Sequence, residues 1–301
     1  MRVIRDIKDC PIIVSSCVAI GVFDGVHRAH RAIIVAAIRA AGRVKASSVV
    51  ITFWPHPRRE PSLYSLEHRL RLLEELGVDY CIVVRFSGSF AKLGPGDFVS
   101  KILCSKLRAR AVYVGENFRF GRGAKAGAPD LADFLRPCGA MVKVFKTMKS
   151  GGNAISSSLI RRLIQKGDIS SAGKLLLRPV SVYGNVVAGT GRGRKLGFPT
   201  ANISLHHEIT PPSGVYAVRV LLGREKIFKG ICYIGTRPTF FASNDLKEIE
   251  VHIFGFKKNI YGSYIEAQFI KKIRDQKTFK NAGLLISQIK KDISAAEKIL
   301  A

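Results

Sequence analysis

The sequence lacks the features that mark membrane proteins and cysteine-based metal sites. No apolar run approaches the roughly 20 residues that cross a bilayer, and the start of the chain, Met1–Asp6, has no continuous apolar core of a signal peptide. The six cysteines include no C-x-x-C pair, so neither a zinc site nor a disulfide framework is predicted. We therefore expect a cytoplasmic protein with no membrane partner and with reduced thiols, most of them packed.

Acidic residues are scarce. Only 22 Asp and Glu stand against 49 Lys and Arg, which gives a formal charge of +27. Such an excess attracts polyanions or concentrates phosphorylated substrates. Because the basic residues are spread along the chain without an aromatic stacking motif, we expect no dedicated nucleic-acid partner.

Two domains are predicted, because 301 residues are many for one core and the apolar pattern changes midway. The first half alternates strand and helix patterns, which indicates a parallel sheet covered by helices. Its predicted elements are strands at 14–23, 49–53 and 80–86 and helices at 29–41, 66–76 and 155–177.

The second half has short strands punctuated by glycine, which predict an antiparallel barrel or sandwich. The strands are expected at 180–188, 214–222, 227–233, 250–254 and 264–269. A final amphipathic helix, with Leu285, Ile289, Ile293 and Ala296 along one face, is expected to dock on that sheet. Arg178-Pro179 breaks the preceding helical pattern, so we predict domains at 1–180 and 181–301.

A glycine turn with two histidines, Gly21–His30, follows the first predicted strand and opens the first helix. At this end of a strand, phosphates can meet free backbone N–H groups and the helix dipole. His27 and His30 project to one side and can donate hydrogen bonds to phosphate oxygens. Taken alone, the pair also fits two ordinary surface residues.

A basic glycine loop, Gly189–Gly197, precedes the tetrapeptide Pro199-Thr200-Ala201-Asn202. It fits neither a P-loop nor a Rossmann turn. By itself it is compatible with a cover for phosphates or with an arginine-rich tether for RNA.

Several motifs, in a fixed order, carry a resemblance to a known family. They are Gly21–His30, Thr52–Pro57, Val114–Gly121, Ile155–Arg161, Pro199–Asn202, Gly214–Val218, Ile234–Phe240, Glu250–His252 and the stretch from Ile273-Arg274 to Phe279. In these the chain resembles the bifunctional riboflavin kinase/FMN adenylyltransferases, also called bacterial FAD synthetases. The resemblance implies a Rossmann-like nucleotidyltransferase domain followed by a riboflavin-kinase barrel with a terminal helix.

The resemblance implies two reactions with ATP, riboflavin, FMN and FAD as substrates or products. In the first domain, AMP passes from ATP to FMN and pyrophosphate leaves. His27, His30 and Arg161 are implied to act on phosphates, and Asn117 to lie at the flavin and nucleotide site. The implied contacts to nucleotide or flavin are Gly21, Phe23, Asp24, Gly25, Asn117, Ser156 and Ser157.

In the second domain, the resemblance implies transfer of the γ-phosphate of ATP to riboflavin, with Glu250 as catalytic base. Thr200 and Asn202 are implied to hold Mg²⁺, which hard oxygen ligands suit. Gly191, Lys195, Gly197, Pro199 and Arg274 are implied to contact the nucleotide or the flavin.

Three positions depart from the family pattern. Ala29 stands where a glycine is usual within H-x-G-H, and its methyl group adds bulk near a phosphate. We expect weakened rather than abolished adenylyl transfer, so one alternative is an enzyme that mainly makes FMN. Another alternative, from the charge alone, is a basic flavin-responsive RNA-binding protein. Gly255 and Gln276 replace acidic residues without removing any implied ligand.

Overall fold

The structure is a computed structural model that describes residues 1–57, 60–85, 87–204, 209–223, 226–236 and 247–301. It contains two compact units, Met1–Ser62 with Leu66–Ser157, and Leu63–Ser65 with Ser158–Ala301. The chain therefore passes between units upstream of residue 180, and the functional boundary at 180 stays a prediction. Arg237–Phe240, part of one family motif, lie outside the described residues.

The first unit is built on a parallel sheet of six described strands in the order β1-β4-β3-β2-β5-β6. They are β1 (Arg2–Ile4), β2 (Ser16–Ile20), β3 (Ser47–Trp54), β4 (Tyr80–Arg85), β5 (Ala109–Gly115) and β6 (Met141–Phe145). Every residue of β2 is buried, which is expected of a central strand in a sheet covered on both faces. The predicted α/β architecture is confirmed.

Helices connect these strands. They are α1 (Arg28–Arg43), α2 (Leu66–Glu75), α3 (Gly88–Ala91), α4 (Pro95–Asp97), which continues as a π-helix over Phe98–Lys106, and α5 (Ala128–Leu135). Short 3₁₀ turns lie at Ile7–Asp9, Asp24–Val26, Arg122–Ala124 and Arg136–Cys138, and a small hairpin pairs β7 (Lys149–Ser150) with β8 (Asn153–Ala154).

The segment predicted to be helical over 155–177 is helical over most of its length but is divided. Two helices lie there, α6 (Ser157–Gln165) and α7 (Ile169–Leu176). Gly167 adopts a φ of 84°, which glycine enters without steric cost and which ends a helix. The Asp168 carboxylate then accepts a hydrogen bond from the Ser171 N–H and caps α7.

The second unit contains a closed antiparallel barrel in the order β10-β13-β12-β11-β14-β9, so the barrel is confirmed and the sandwich is not. The strands are β9 (Ser181–Val187), β10 (Ala201–Ser204), β11 (Gly214–Leu222), β12 (Lys226–Thr236), β13 (Lys247–Ile253) and β14 (Tyr264–Arg274). A four-residue helix, α8 (Arg192–Lys195), interrupts the glycine loop between β9 and β10.

The terminal helix, α9 (Ala282–Leu300), begins at Asn281, whose side chain accepts from the Leu284 N–H. Its buried Ala296 and Leu300 pack with Val215, Ala217 and Ile231 on the barrel. The predicted amphipathic helix is thus confirmed, and it closes the core on the outer side of β11 and β12.

The expectation of six reduced thiols is wrong for two of them. Cys104 and Cys138 form a disulfide, with Cα atoms 6.1 Å apart, whereas Cys10, Cys17, Cys81 and Cys232 are free and buried. The pair is 34 residues apart in sequence. The two cysteines come together because α5 packs against the π-helix. No local sequence spacing predicts that contact.

Candidate active sites

The first candidate site lies at the carboxyl ends of β2 and β5. The sheet order places β3 on one side of β2 and β5 on the other, so the direction of winding reverses between β2 and β5. Open α/β sheets bind ligands in the crevice at such a switch point. The glycine turn follows β2, and Glu116-Asn117 follows β5, so two separate motifs meet at this edge.

The turn after β2 has an unusual backbone. Phe23, Gly25 and Val26 have φ angles of 50°, 79° and 42°. A Cβ on Gly21 would lie 2.9 Å from the Phe23 ring, so only glycine fits there without displacing that ring. The turn ends at His27, which is the N-cap of α1.

The two histidines stack on each other at the start of α1. Their ring centroids are 3.6 Å apart with an interplanar angle of 19°, and the Phe23 ring meets His30 edge-on at 5.4 Å. His27 Nδ1 accepts from the His30 N–H at 3.4 Å, so a neutral His27 carries its proton on Nε2. Only 3% of His27 is exposed.

His30 is held neutral by its surroundings. Burial lowers its pKa well below 6.5, the charges of His27 and Arg69 lower it further, and a hydrogen bond to the Asp24 backbone acts in the opposite direction. A neutral imidazole carries one N–H and does not titrate near pH 7.

The serine motif reaches the glycine turn. Ser157 Oγ donates to the Asp24 carbonyl oxygen at 3.0 Å, a contact within the first unit. Ser156 precedes the helix, and Arg161 lies on it, in the second unit. The Asp24 side chain is 2% exposed, so it offers almost no surface to a ligand.

Asn117 lies beyond the end of β5 and is exposed. Its Nδ2 donates to Thr147 Oγ1 at 3.3 Å, and the Thr147 N–H donates to the Glu116 carboxylate at 2.9 Å. Hydrogen bonds from the side chain and then the backbone of Thr147 lower the pKa of Glu116. Beside them, the Phe118 and Phe120 rings stack at 5.4 Å, so polar and flat apolar surfaces adjoin.

The second candidate site joins two adjacent barrel strands. Asn202 on β10 pairs directly with Glu250 on β13. Thr200 Oγ1 donates to Glu250 Oε2 at 3.1 Å. The fold therefore brings together three residues of the sequence-predicted site: Asn202 lies opposite Glu250 in the strand pairing, and the Thr200 hydroxyl contacts the Glu250 carboxylate.

Burial and the negative charge of Glu250 raise the pKa of two neighbouring residues on β12. Burial, and after it the Glu250 charge, raises the pKa of the Cys232 thiol. Burial, Glu250 and Glu248, in that order, raise the pKa of Tyr233. A cation beside Glu250 would therefore be favoured.

The glycine loop folds closely over this cluster. A Cβ on Gly189 would overlap the Asn202 amide, and a Cβ on Gly193 would lie 3.0 Å from Thr200 Oγ1. Gly191 and Gly197 have φ angles of 71° and 87°, which non-glycine residues rarely adopt. Lys195 is exposed on α8, and the Pro199 carbonyl oxygen lies 2.9 Å from His252 Nδ1.

Two clefts flank the cluster. One, of about 330 Å³, is lined by Gly189, Thr190, Asn202 and Glu248, among others. A smaller one, of about 80 Å³, is lined by Thr200, Arg194, Phe256 and Tyr261, among others. Thr200 lines one cleft and Asn202 the other.

Known proteins match the chain over both units. A family model described as FAD synthetase matches residues 12–159, and one described as riboflavin kinase matches residues 176–300. The bifunctional riboflavin kinase/FMN adenylyltransferase of Bacillus subtilis (strain 168) is 36% identical, covering 92% of this chain and 90% of its own. That of Escherichia coli (strain K12) is 36% identical, with 97% and 95% covered.

The chain belongs to the bifunctional riboflavin kinase/FMN adenylyltransferase family. It phosphorylates riboflavin to FMN with ATP and adenylylates FMN with ATP to FAD, releasing pyrophosphate. Neither alternative drawn from Ala29 or from the charge gains support from these relatives.

A solved structure from Streptococcus pneumoniae, titled as a macrolide-efflux protein, shares the fold with a TM-score of 0.83. It is 30% identical, and 98% of both chains is covered. Among the described residues of the present chain, no helix is long and apolar enough to span a membrane.

In this bifunctional kinase and adenylyltransferase, the Arg274 guanidinium is held by a carboxylate on the terminal helix. Arg274 ends β14, and its Nε and Nη2 donate to the Asp292 carboxylate on α9 at 2.8 to 3.0 Å. Asp292 is buried and also accepts from the Gln288 amide at 2.9 Å. A bidentate pair of this kind holds a guanidinium in one orientation, so α9 sets the position of the predicted flavin-side residue.

The structure shows the surroundings of two positions that depart from the family pattern, Gly255 and Ala29. Gly255 has a φ of 65° with open space around it, a conformation that suits glycine better than aspartate. Ala29 is the second residue of α1 and is half-buried. Its expected effect on adenylyl transfer stays a prediction.

Sequence reasoning missed the buried support of the first site. Arg69 on α2 is fully buried, and its Nη1 donates to Thr52 Oγ1 at 3.2 Å and to the Val22 carbonyl oxygen at 3.0 Å. The available signal was periodicity, because Arg69 shares a helix face with the apolar residues Leu66, Leu70 and Leu73. A cation on an apolar face must have a partner in the fold.

Proposed function

We propose that residues 1–180 carry the adenylyl transfer to FMN and that residues 181–301 carry the phosphorylation of riboflavin. The matches to FAD synthetase at 12–159 and riboflavin kinase at 176–300 support this division. The cytoplasmic location expected from the sequence stays a prediction.

One observation carries the kinase assignment: the Thr200–Asn202–Glu250 cluster, which the strand pairing and the 3.1 Å hydrogen bond assemble. In the proposed reaction the ribityl 5′-hydroxyl of riboflavin attacks the γ-phosphorus of ATP, and ADP leaves. Glu250 accepts the proton of that hydroxyl. A positioned base contributes about 10²–10⁴-fold to such a step.

The donor set suits Mg²⁺. Thr200 and Asn202 offer neutral hard oxygens, and because Thr200 donates its proton to Glu250, its lone pairs stay available for a cation. Among the described residues there is no group of three or more His, Cys, Asp or Glu that could hold a metal, so the remaining ligands would be phosphate oxygens and water. When bound, Mg²⁺ would neutralise phosphate charge during transfer.

The glycine loop would cover the phosphates. The positive φ of Gly191 and Gly197 turns the chain around Lys195, whose ammonium group suits a phosphate oxygen. Pro199, fixed through its carbonyl oxygen by His252, sets the entry into β10. Arg274, held by Asp292, would contact riboflavin.

The adenylyl half would bind ATP at the turn after β2. Gly21, Phe23 and Gly25 shape this turn. The Asp24 carbonyl oxygen accepts a hydrogen bond from the Ser157 hydroxyl. His27, His30, Ser156 and Ser157 would contact the phosphates, and the phosphate role implied for Arg161, which lies in the second unit, stays a prediction. Asn117, with the aromatic surface of Phe118, would contact FMN, whose phosphate oxygen attacks the α-phosphorus while pyrophosphate leaves.

The test is to incubate purified protein with riboflavin, ATP and Mg²⁺ and to resolve FMN from FAD over time. FMN should appear first and FAD later. FMN without FAD would favour an enzyme impaired at Ala29. Tight, salt-sensitive RNA binding without flavin turnover would favour the RNA-binding alternative, because neutralised phosphates make binding depend steeply on salt.

A further inference from the structure

The buried Arg69 is costly to the fold unless its charge is satisfied. A guanidinium removed from water destabilises a protein by several kcal/mol when it has no partners. Arg69 Nη1 donates to the carbonyl oxygens of Val22 and Phe53, at 3.0 and 3.2 Å, and its Nη2 lies 3.5 Å from Asp24 Oδ1. The guanidinium also lies 5.4 Å from the centroid of the Trp54 ring.

These partners come from two neighbouring strand ends. Val22 follows β2, whereas Thr52 and Phe53 end β3. Thr52 Oγ1 also donates to the Val22 carbonyl oxygen at 2.7 Å. Arg69 therefore links the carboxyl ends of β2 and β3, next to the glycine turn.

The turn above needs such support. Phe23 and Val26 adopt positive φ without being glycine, and each such residue costs about 1–3 kcal/mol. A β-branched residue such as Val26 is especially unfavourable there. Conformations of this kind persist only where the surroundings determine them, and here the Asp24 side chain, between the two strained residues, is the group that faces Arg69.

The histidines depend on the same turn. His27 is its last residue and caps α1, and His30 bonds to the Asp24 backbone. Arg69 also acts through its charge, because it lowers the pKa of His30. Removing the guanidinium would change both the position of the turn and the protonation of a histidine in it.

We propose that Arg69 is a positioning residue for FMN adenylylation: through Val22 and Asp24 it holds the turn that presents His27 and His30. Arg69 has no exposed surface, so it does not touch the substrates. The inference rests on the proposed role of that turn in ATP binding.

The test compares Arg69→Met, Arg69→Lys, Asp24→Asn and the double variant Arg69→Met/Asp24→Asn in the full-length enzyme. FAD formation from supplied FMN is measured for kcat and for the KM of ATP across pH. Riboflavin phosphorylation serves as the internal control. Emission of Trp54, the single tryptophan of the chain, reports the folded fraction of the unit around Arg69.

Arg69→Met should lower kcat for FAD formation about 10- to 100-fold and leave riboflavin phosphorylation within twofold. Arg69→Lys should recover part of the loss, and the double variant should be no worse than Arg69→Met, since both members serve one contact. The acidic limb of the pH–rate profile should move to higher pH in Arg69→Met. If Arg69→Met does not fold, FAD formation and riboflavin phosphorylation are compared in Asp24→Asn instead, which keeps the shape of the side chain.

FAD formation that falls only in proportion to the folded fraction, with an unchanged pH profile, would show that Arg69 merely stabilises the unit and would overturn the proposal. Full activity in folded Arg69→Met would overturn it too. His27→Ala separates this from the underlying assignment. If His27→Ala keeps its FAD synthesis, the turn is not the adenylyl site at all; if it loses FAD synthesis while Arg69→Met does not, only the positioning role is wrong.

Discussion

Glu250 and Thr200 share one hydrogen bond, and this bond couples the proposed base to the proposed cation site. A glutamine at 250 keeps the oxygen that accepts from Thr200 but removes the negative charge. Glu250→Gln should therefore lower the initial rate of FMN formation by about 10²–10⁴-fold, while ATP still binds and supplied FMN is still converted to FAD. FMN formation at the wild-type rate would show that Glu250 is not the base.

Thr200 should respond differently. Thr200→Ala removes a hydroxyl ligand, so half-maximal FMN formation should need more Mg²⁺, whereas Thr200→Ser keeps the hydroxyl and should stay near wild type. Titrating the rate with Mg²⁺ at fixed ATP measures the shift. An identical Mg²⁺ dependence in the alanine and serine variants would remove Thr200 from the cation site.

His30 makes the first unit sensitive to acid. Its pKa is lowered chiefly by burial, so below about pH 6.5 the unfolded chain binds a proton that the folded unit excludes. The free energy of unfolding should therefore fall as pH falls through this range, by at most about 1.4 kcal/mol per pH unit from this one group. Urea unfolding followed by Trp54 emission measures it, and His30→Gln should flatten the slope; an equal slope in both proteins would contradict the burial argument.

At the scale of elements, local pattern predicted most of the fold. β11 was predicted at its observed bounds, Gly214–Leu222, and α2 within one residue, Leu66–Glu75, because alternation and helical period are local properties. The break between α6 and α7 was missed because Gly167 and Asp168 act through backbone conformation and capping. The Arg69 network and the Cys104–Cys138 bond depend on packing between distant segments.

The disulfide joins the end of the π-helix to the turn after α5, across a segment that contains β5 and Asn117. Closing a loop of 34 residues stabilises a fold by about 3–4 kcal/mol in the chain-entropy account. Protein purified without reductant should show four reactive thiols when denatured, and six after treatment with dithiothreitol. Reduction should also lower the midpoint of the Trp54-monitored unfolding; six thiols without reductant would show that the bond does not form.

At the scale of the whole molecule, two compact units carry two chemistries in one chain. The glycine turn, with Asn117, belongs to Met1–Ser62 and Leu66–Ser157, whereas Thr200, Asn202, Glu250 and Arg274 belong to Ser158–Ala301. Each unit has its own hydrophobic core. A substitution in the site of one unit should therefore leave the activity of the other intact.

This separation predicts complementation between two defective proteins. His27→Ala should convert riboflavin to FMN and stop, whereas Glu250→Gln should make FAD only when FMN is supplied. Mixed together with riboflavin, ATP and Mg²⁺, they should produce FAD after a lag, because FMN released by the first protein must diffuse to the second. The lag should shorten as the concentration of Glu250→Gln rises, and chromatography of FMN and FAD with time measures it. If Glu250→Gln makes no FAD from supplied FMN, the two activities are not divided between the units as proposed, since one carboxylate on β13 would then serve both reactions.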